Sequence, residues 1–316
     1  MDKKLPYVFV VGCPRSGTTL LQRMLDHHPL LAVSNDSHFI PKTVDKFGTA
    51  VHDQLNSDIV EFVRLYRRFP RLGLTDEAVY SAAEQATTYP EFVCHLYRAF
   101  AKQQGKPYSG EKTPDYVKRI PLLHDLFPEA RFIHIVRDGR DVALSTLDWA
   151  HETKGPGRLA LWHDHPVAVC ALWWMHQTST GIRDGKMLGD SFYCQIRYEN
   201  LVAEPVASMK MLCQFLDFPY SQDTVEFHQG KTRGNTKLSA KKRWLPPTSG
   251  LRNWSQSLVG DDLLLFEAIA GAHLNDLGYS SSGLIPTESV LKTAEYCCHW
   301  WENEMHRRQL KRTKTK

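Results

Sequence analysis

The run Gly12-Cys-Pro-Arg-Ser-Gly-Thr-Thr19 constrains this chain more than any other feature. It follows Tyr7-Val-Phe-Val-Val11, a short β-branched and aromatic run typical of a strand buried on both faces. It precedes Leu20, Leu21, Met24 and Leu25, which keep helical spacing until Pro29 stops them. Strand, glycine turn and helix make the first half of a βαβ unit. The turn has a G-x-x-x-x-G frame, in which N–H groups of the turn and the helix N-terminus converge on an anion. A nucleoside triphosphatase carries Lys after the second glycine; here Thr18 stands there, and the loop's cation is Arg15. The loop is read as holding an anion without the usual triphosphate and Mg²⁺ apparatus. The plainer alternative is a glycine turn that only joins strand to helix.

Further along, residues 131–136 read as a second buried strand, and Phe192 to Ile196 as a third. Helical patterns run through Val142, Leu144 and Leu147, through 167–182 with Trp173 and Trp174, through Leu201 to Leu216, and through 261–277. Residues 43–104, with Ile59, Phe62, Val63 and Tyr66 at helical spacing, read as a helical insertion. The stretch 229–258 is rich in Gly, Pro, Ser, Thr and basic residues; a loop of that length is functional or disordered. Strands alternating with helices predict an α/β, P-loop-like three-layer fold: a mainly parallel central sheet flanked by helices, plus the helical insertion. Residues 1–285 are expected to form a single domain, and 286–316 a C-terminal helix and basic tail.

With 316 residues, 42% of them hydrophobic and 23% charged, a disordered chain is excluded. The formal charge of +4 is misleading, because six cations lie in the last ten residues and the rest of the chain sums to −2. No nucleic-acid partner is expected from such a body. Seven cysteines without a C-x-x-C suggest a reduced protein with neither zinc knuckle nor thioredoxin-type site. The apolar run Tyr7 to Cys13 is far short of the roughly 20 residues that span a bilayer, and it lacks the marks of a signal peptide. A cytoplasmic protein is expected, in which the N-x-[ST] matches at Asn35 and Asn253 are chance. His163-Asp-His165 offers two metal ligands, which do not make a site. The tail, with Trp300, Trp301, Met305 and its basic run, is read as solvated; contact with an anionic membrane is the alternative.

A second anion site is suggested after the second strand. Arg137 ends that strand, and Ser145 lies two turns into the next helix. With Arg140 they suit a phosphate; the alternative is a capped turn in which Arg137-Asp138-Gly139-Arg140 makes a local ion pair. Cys13-Pro-Arg-Ser-Gly-Thr-Thr19 together with Val136-Arg-Asp-Gly-Arg-Asp-Val-Ala-Leu-Ser145 resembles the PAPS-dependent sulfotransferases, where PAPS is 3′-phosphoadenosine 5′-phosphosulfate. The resemblance is to the branch related to tyrosylprotein sulfotransferases and to the broad bacterial families, over about residues 7–42 and 108–218. It implies a P-loop-like fold and in-line transfer of a sulfuryl group from PAPS to a hydroxyl or amine, leaving PAP (adenosine 3′,5′-bisphosphate), with no metal. It further implies that Arg15, Ser16, Gly17, Thr18 and Thr19 hold the 5′-phosphosulfate, and that Arg137 and Ser145 hold the 3′-phosphate. Tyr198, in Arg197-Tyr-Glu-Asn-Leu201, resembles a family tyrosine near the nucleotide. The basic 231–254 stretch, with Lys241, Lys242, Arg243, Arg252 and Trp254, resembles a segment that folds over the 3′-phosphate and adenine.

Sulfuryl transfer needs a base for the acceptor proton and donors around the sulfate. Aligning Ile40-Pro41-Lys42 on an Ile-Pro-Arg segment of the tyrosylprotein enzymes implies Asp36 as the catalytic carboxylate. It also puts His38 and Lys42 where those relatives have arginines. His38 is the rival base, since an imidazole suits proton abstraction at neutral pH; an Asx-turn or N-cap is the plainer role for Asp36. Lys112, in Gly110-Glu-Lys-Thr-Pro-Asp115, matches a lysine that stabilises the leaving group in the same relatives. The acceptor is left open between small molecule, carbohydrate, lipid and peptide tyrosine, and the oligomeric state is unspecified. A P-loop kinase or nucleotide phosphotransferase, and a non-catalytic nucleotide-binding protein, are the competing readings.

Overall fold

The computed structural model describes residues 6–150, 154–229, 247 and 252–314. In chain order the first elements are β1 (Val8–Val11), α1 (Thr18–Asp26), β2 (Leu31–Asn35), α2 (Phe39–Phe47), α3 (Ser57–Arg64), α4 (Asp76–Glu84) and α5 (Tyr89–Gln103). Then come β3 (Tyr108–Lys112), α6 (Ile120–Leu126), β4 (Arg131–Val136), α7 (Gly139–Leu147), α8 (Pro166–Lys186) and β5 (Tyr193–Arg197). The chain continues through α9 (Tyr198–Ala203), α10 (Pro205–Phe215), α11 (Trp254–Ser257), α12 (Gly260–Asp276) and α13 (Glu288–Lys314). It divides into two compact units, one of Met1–Val136 with Thr180–Ser249, the other of Arg137–Ser179 with Gly250–Lys316.

The first unit holds the whole sheet, in the order β2-β3-β1-β4-β5, with all four pairings parallel. β1 sits at the centre because Val8 to Val11 are all fully buried, and helices must cover both faces of such a strand. The chain leaves β1 toward β2 on one side and later fills β4 and β5 on the other, so the C-terminal end of β1 is the switch point where α/β sheets bind ligands. Two strands escape a reading by apolar pattern. β2 ends in Ser34-Asn35, and β3, Tyr-Ser-Gly-Glu-Lys, contains one aromatic and no aliphatic residue. The helix expected over 201–216 is divided at Glu204-Pro205, since proline has no N–H to continue α9 and instead opens α10. Between β2 and β3 the described elements are all helical. There α5 opens with Thr88 and Glu91 capping each other's backbone, a reciprocal arrangement that fixes its start.

The second unit is helical. Leu161, Ala168, Val169 and Leu172 pack with Leu265 of α12 and with Val290, Ala294, Cys297 and Trp301 of α13. Trp174 is fully buried and donates from Nε1 to the Arg137 carbonyl at 3.1 Å, so both tryptophan pairs contribute packing residues. Among the described residues no helix is long and apolar enough to cross a membrane.

Candidate active site

The turn after β1 is built by backbone geometry that few sequences tolerate. Gly17 has φ +96°, and a Cβ placed on it would lie 2.4 Å from Cδ2 of Tyr198. Gly12 faces the carbonyl oxygen of Ile135, which a Cβ would approach to 2.5 Å. Arg15 takes φ +80°, a left-handed conformation that costs a non-glycine residue about 1–3 kcal/mol. Neither a side-chain cap nor a first-turn acid fills the N-terminus of α1, leaving its N–H groups turned to whatever binds there. Ser16 is fully buried, and its Oγ has no hydrogen-bond partner among the described residues. An orphaned hydroxyl beside uncapped N–H groups fits a phosphosulfate, whose oxygens supply the missing acceptors.

Behind the turn, Lys112 at the end of β3 is buried to 1% exposure. Its Nζ donates to Asp36 Oδ1 at 2.9 Å and stands 3.5 Å from the Thr19 hydroxyl in the first turn of α1. Burial pulls the Lys112 pKa below its ordinary value, although the Asp36 carboxylate opposes that pull. Burial pushes the Asp36 carboxyl upward, but Lys112, with His38 and Arg71, outweighs it and holds the pKa below 3.8. Asp36 therefore stays ionised at neutral pH. Its carboxylate is engaged by Lys112 and Arg71 rather than by the backbone of α2, whose N-cap is His38 and which receives no side-chain cap.

Asp36 and His38 have φ +51° and +60°. With Arg15 they make three of the four non-glycine residues in the left-handed region among those described, and all three border the ends of β1 and β2. Burial, with Arg68 second, lowers the His38 pKa to about 4, so its ring is neutral at physiological pH. Arg71 donates to the Asp36 carbonyl at 3.2 Å and lies 3.4 Å from its carboxylate. Arg68 and Arg71 come from the turn after α3, and the Arg-Arg-Phe-Pro-Arg run was the available signal for them. They bring cations beside Asp36 and His38. Lys42 instead lies exposed on α2, 3.4 Å from Asp45.

Sequence reasoning also missed Glu111, a fully buried carboxylate next to Lys112. Ser34, Ser37, Tyr97 and Thr113 all donate to it.

Tyr198, at the start of α9, is buried against Gly17, so two residues singled out separately are in contact. Arg137, Ser145, Arg252 and Trp254 belong to the second unit. There Arg137 pairs with Asp141 at 2.9 Å, and Ser145 is buried on α7. Asp138 caps α7 through the Arg140 N–H and also binds the Arg140 guanidinium. Arg140 further binds Glu267 at 2.6 Å and stacks at 3.5 Å on the Trp254 ring. The capped-turn alternative thus describes Arg140, which is structural. The Trp254 main-chain N–H donates to Asp141, and Arg252 binds Asp148 at 2.6 Å, so these two residues dock on α7. Lys241, Lys242 and Arg243 lie outside the described residues. Among those described, no group of His, Cys, Asp or Glu is arranged to hold a metal.

The chain matches the family described as Sulfotransferase family over residues 6–222. It is 30% identical to protein-tyrosine sulfotransferase 2 of Gallus gallus over 289 residues, 88% of this chain and 70% of that protein. It is 25% identical to protein-tyrosine sulfotransferase A of Caenorhabditis elegans over 290 residues, 90% of this chain and 70% of that one. The solved sulfotransferase domain from the curacin biosynthetic pathway superposes with a TM-score of 0.55 at 18% identity, covering 88% of this chain and 100% of that domain. A glycine turn with an uncapped helix N-terminus and no triphosphatase lysine, at the switch point of a parallel sheet, agrees with a family match that spans more than half the chain. On that match the chain belongs to the sulfotransferase family, the enzymes that transfer a sulfuryl group from PAPS.

Proposed function

We propose that this sulfotransferase acts on a phenolic hydroxyl, a peptide tyrosine flanked by negative charge, with Asp36 as the proton acceptor. The observation that carries the reading is the Asp36 carboxylate held between buried Lys112, which reaches toward Thr19, and Arg71. A carboxylate with a depressed pKa is a weak base, effective on an oxygen that is already acidic or becomes so as its new bond forms. That favours a phenol over a sugar alcohol. Arg68 and Arg71 favour an acceptor with carboxylates near the reacting hydroxyl, and the relatives in Gallus gallus and Caenorhabditis elegans are named protein-tyrosine sulfotransferases.

PAPS, when bound, supplies the sulfuryl group. In this reading Ser16, Thr18, Thr19 and Arg15 hold the phosphosulfate, and Lys112 offsets charge that develops on the leaving phosphate. Arg137 and Ser145 are the proposed 3′-phosphate ligands. His38 is a second candidate for the acceptor proton, favoured by its neutral ring at pH 7. The test is a screen with ³⁵S-labelled PAPS against tyrosine peptides with acidic or neutral flanks, simple phenols and sugars. Labelling of acidic-flanked tyrosine above all others is the expected result; preferential labelling of sugars overturns the acceptor assignment.

A further inference from the structure

We propose that Glu111 is the positioning residue for the acceptor side of the site: its buried carboxylate holds Ser37, and through Ser37 the left-handed turn that presents Asp36 and His38. The inference rests on the reading of those two residues as proton acceptors. Glu111 Oε1 accepts from the Ser37 main-chain N–H at 3.0 Å and from its hydroxyl at 2.8 Å. Ser37 is fully buried and lies between the two strained residues, Asp36 at φ +51° and His38 at φ +60°. Two left-handed non-glycine residues this close together persist only where surrounding contacts over-determine them. Here the contacts come from Glu111 on one side and from Lys112, the next residue of β3, on the other. Adjacent strand residues point to opposite faces, so β3 grips the turn with a carboxylate from one face and an ammonium from the other. Ser34 at 2.9 Å and the Tyr97 and Thr113 hydroxyls complete the shell. A main-chain N–H can only donate, so Glu111 must accept at Ser37. Burial raises its pKa, but the converging donors oppose that rise.

His38 reports on the turn. The charged groups acting on it are Asp36 beside it, Asp115 after β3, and Arg68 and Arg71 from the insertion. The test is an NMR titration of the His38 ring in the full chain, compared between wild type, Glu111→Gln and Tyr97→Phe. Glu111→Gln keeps the shape but leaves one acceptor oxygen for donors that now converge on two. Its NH₂ faces hydroxyls that must reverse, so the hold on Ser37 is loosened and His38 gains solvent. Its pKa is expected to rise by more than one unit from about 4, while Tyr97→Phe, which leaves the Ser37 bonds intact, keeps it near 4. A folded Glu111→Gln with His38 unchanged overturns the proposal. If Glu111→Gln does not fold, Ser37→Ala serves instead, with a smaller rise expected and none counting against. Turnover separates this idea from the base reading. With a tyrosine peptide, Glu111→Gln should lower kcat about 10²-fold at unchanged KM for PAPS. Adding it to Asp36→Asn should then cost little more. Full additivity with a crippled Asp36→Asn sinks the positioning role alone; a fully active Asp36→Asn sinks the base assignment alone.

Discussion

Lys112 Nζ stands 2.9 Å from Asp36 Oδ1; Lys112 ends β3, and Asp36 directly follows Asn35, the last residue of β2, which is paired with Lys112. The lysine is almost fully buried and the aspartate about a quarter exposed, so the pair joins the inner wall of the site to its open side. Removing one partner leaves a charge that burial then destabilises.

Asp36→Asn should lower transfer to a tyrosine peptide by about 10²–10⁴-fold while changing PAP affinity little. Because Asp36 titrates below 3.8, its stabilising contribution is complete above that pH and is lost only as pH falls through the folded-state value. Without its attraction, Lys112 gives up its proton more readily, so any alkaline limb of the rate profile should move to lower pH. Steady-state rates across pH and calorimetry with PAP check both points.

Acid sensitivity should come from histidines held neutral. His134 is fully buried, bonded through Nδ1 to the Tyr193 hydroxyl at 2.7 Å, and burial lowers its pKa to about 3; His38 sits at about 4. Below the ordinary 6.5 the unfolded chain takes up protons that the folded chain refuses, so stability falls as pH drops from 6.5 toward 3. For His134 the slope is about 1.4 kcal/mol per pH unit. Urea unfolding between pH 7.5 and 4.5 should show a shallower dependence in His134→Gln.

Gly17→Ala should destabilise the fold by about 1–3 kcal/mol, through overpacking against Tyr198 and a left-handed φ. PAP binding should weaken at least tenfold. Tyr198 is itself a buried core residue, so Tyr198→Ala is destabilising alone. The double variant should nonetheless lose less than the sum of the two single losses, because removing the ring removes the clash and leaves the backbone strain. Denaturation midpoints and calorimetry on the three variants decide it.

Arg15→Gly and Arg15→Ala should both lose sulfuryl transfer, yet Arg15→Gly should be the more stable of the two. At φ +80° an alanine keeps the backbone strain that glycine relieves. Equal loss of activity with that order of melting temperatures marks Arg15 as a site residue rather than a structural one.

Arg68→Ala/Arg71→Ala should raise KM for an acidic-flanked tyrosine peptide much more than for a neutral phenol, and the gap should narrow with added salt. Parallel changes for both acceptors count against an acceptor-charge role.

The amino-acid sequence by itself determined the elements whose pattern is local. Tyr7–Val11, the turn from Gly12 to Thr19 and the strand at 131–136 were legible because buried parallel strands are short apolar runs and phosphate turns require glycine at fixed spacing. The family motifs also pointed to Asp36, His38 and Lys112. What the chain order could not disclose is which charges meet. Glu111 and Lys112 read as an ordinary charged pair in a polar segment, and only pairing between β2 and β1 buries them on opposite faces of the sheet. Likewise Arg71 reaches Asp36 from 35 residues away, and Tyr198 reaches Gly17 from the far end of another strand. Hydrogen bonds and ion pairs act over a few ångströms in space, whereas sequence patterns record only neighbours along the chain. The electrostatic partners of the site were therefore decided by the tertiary structure.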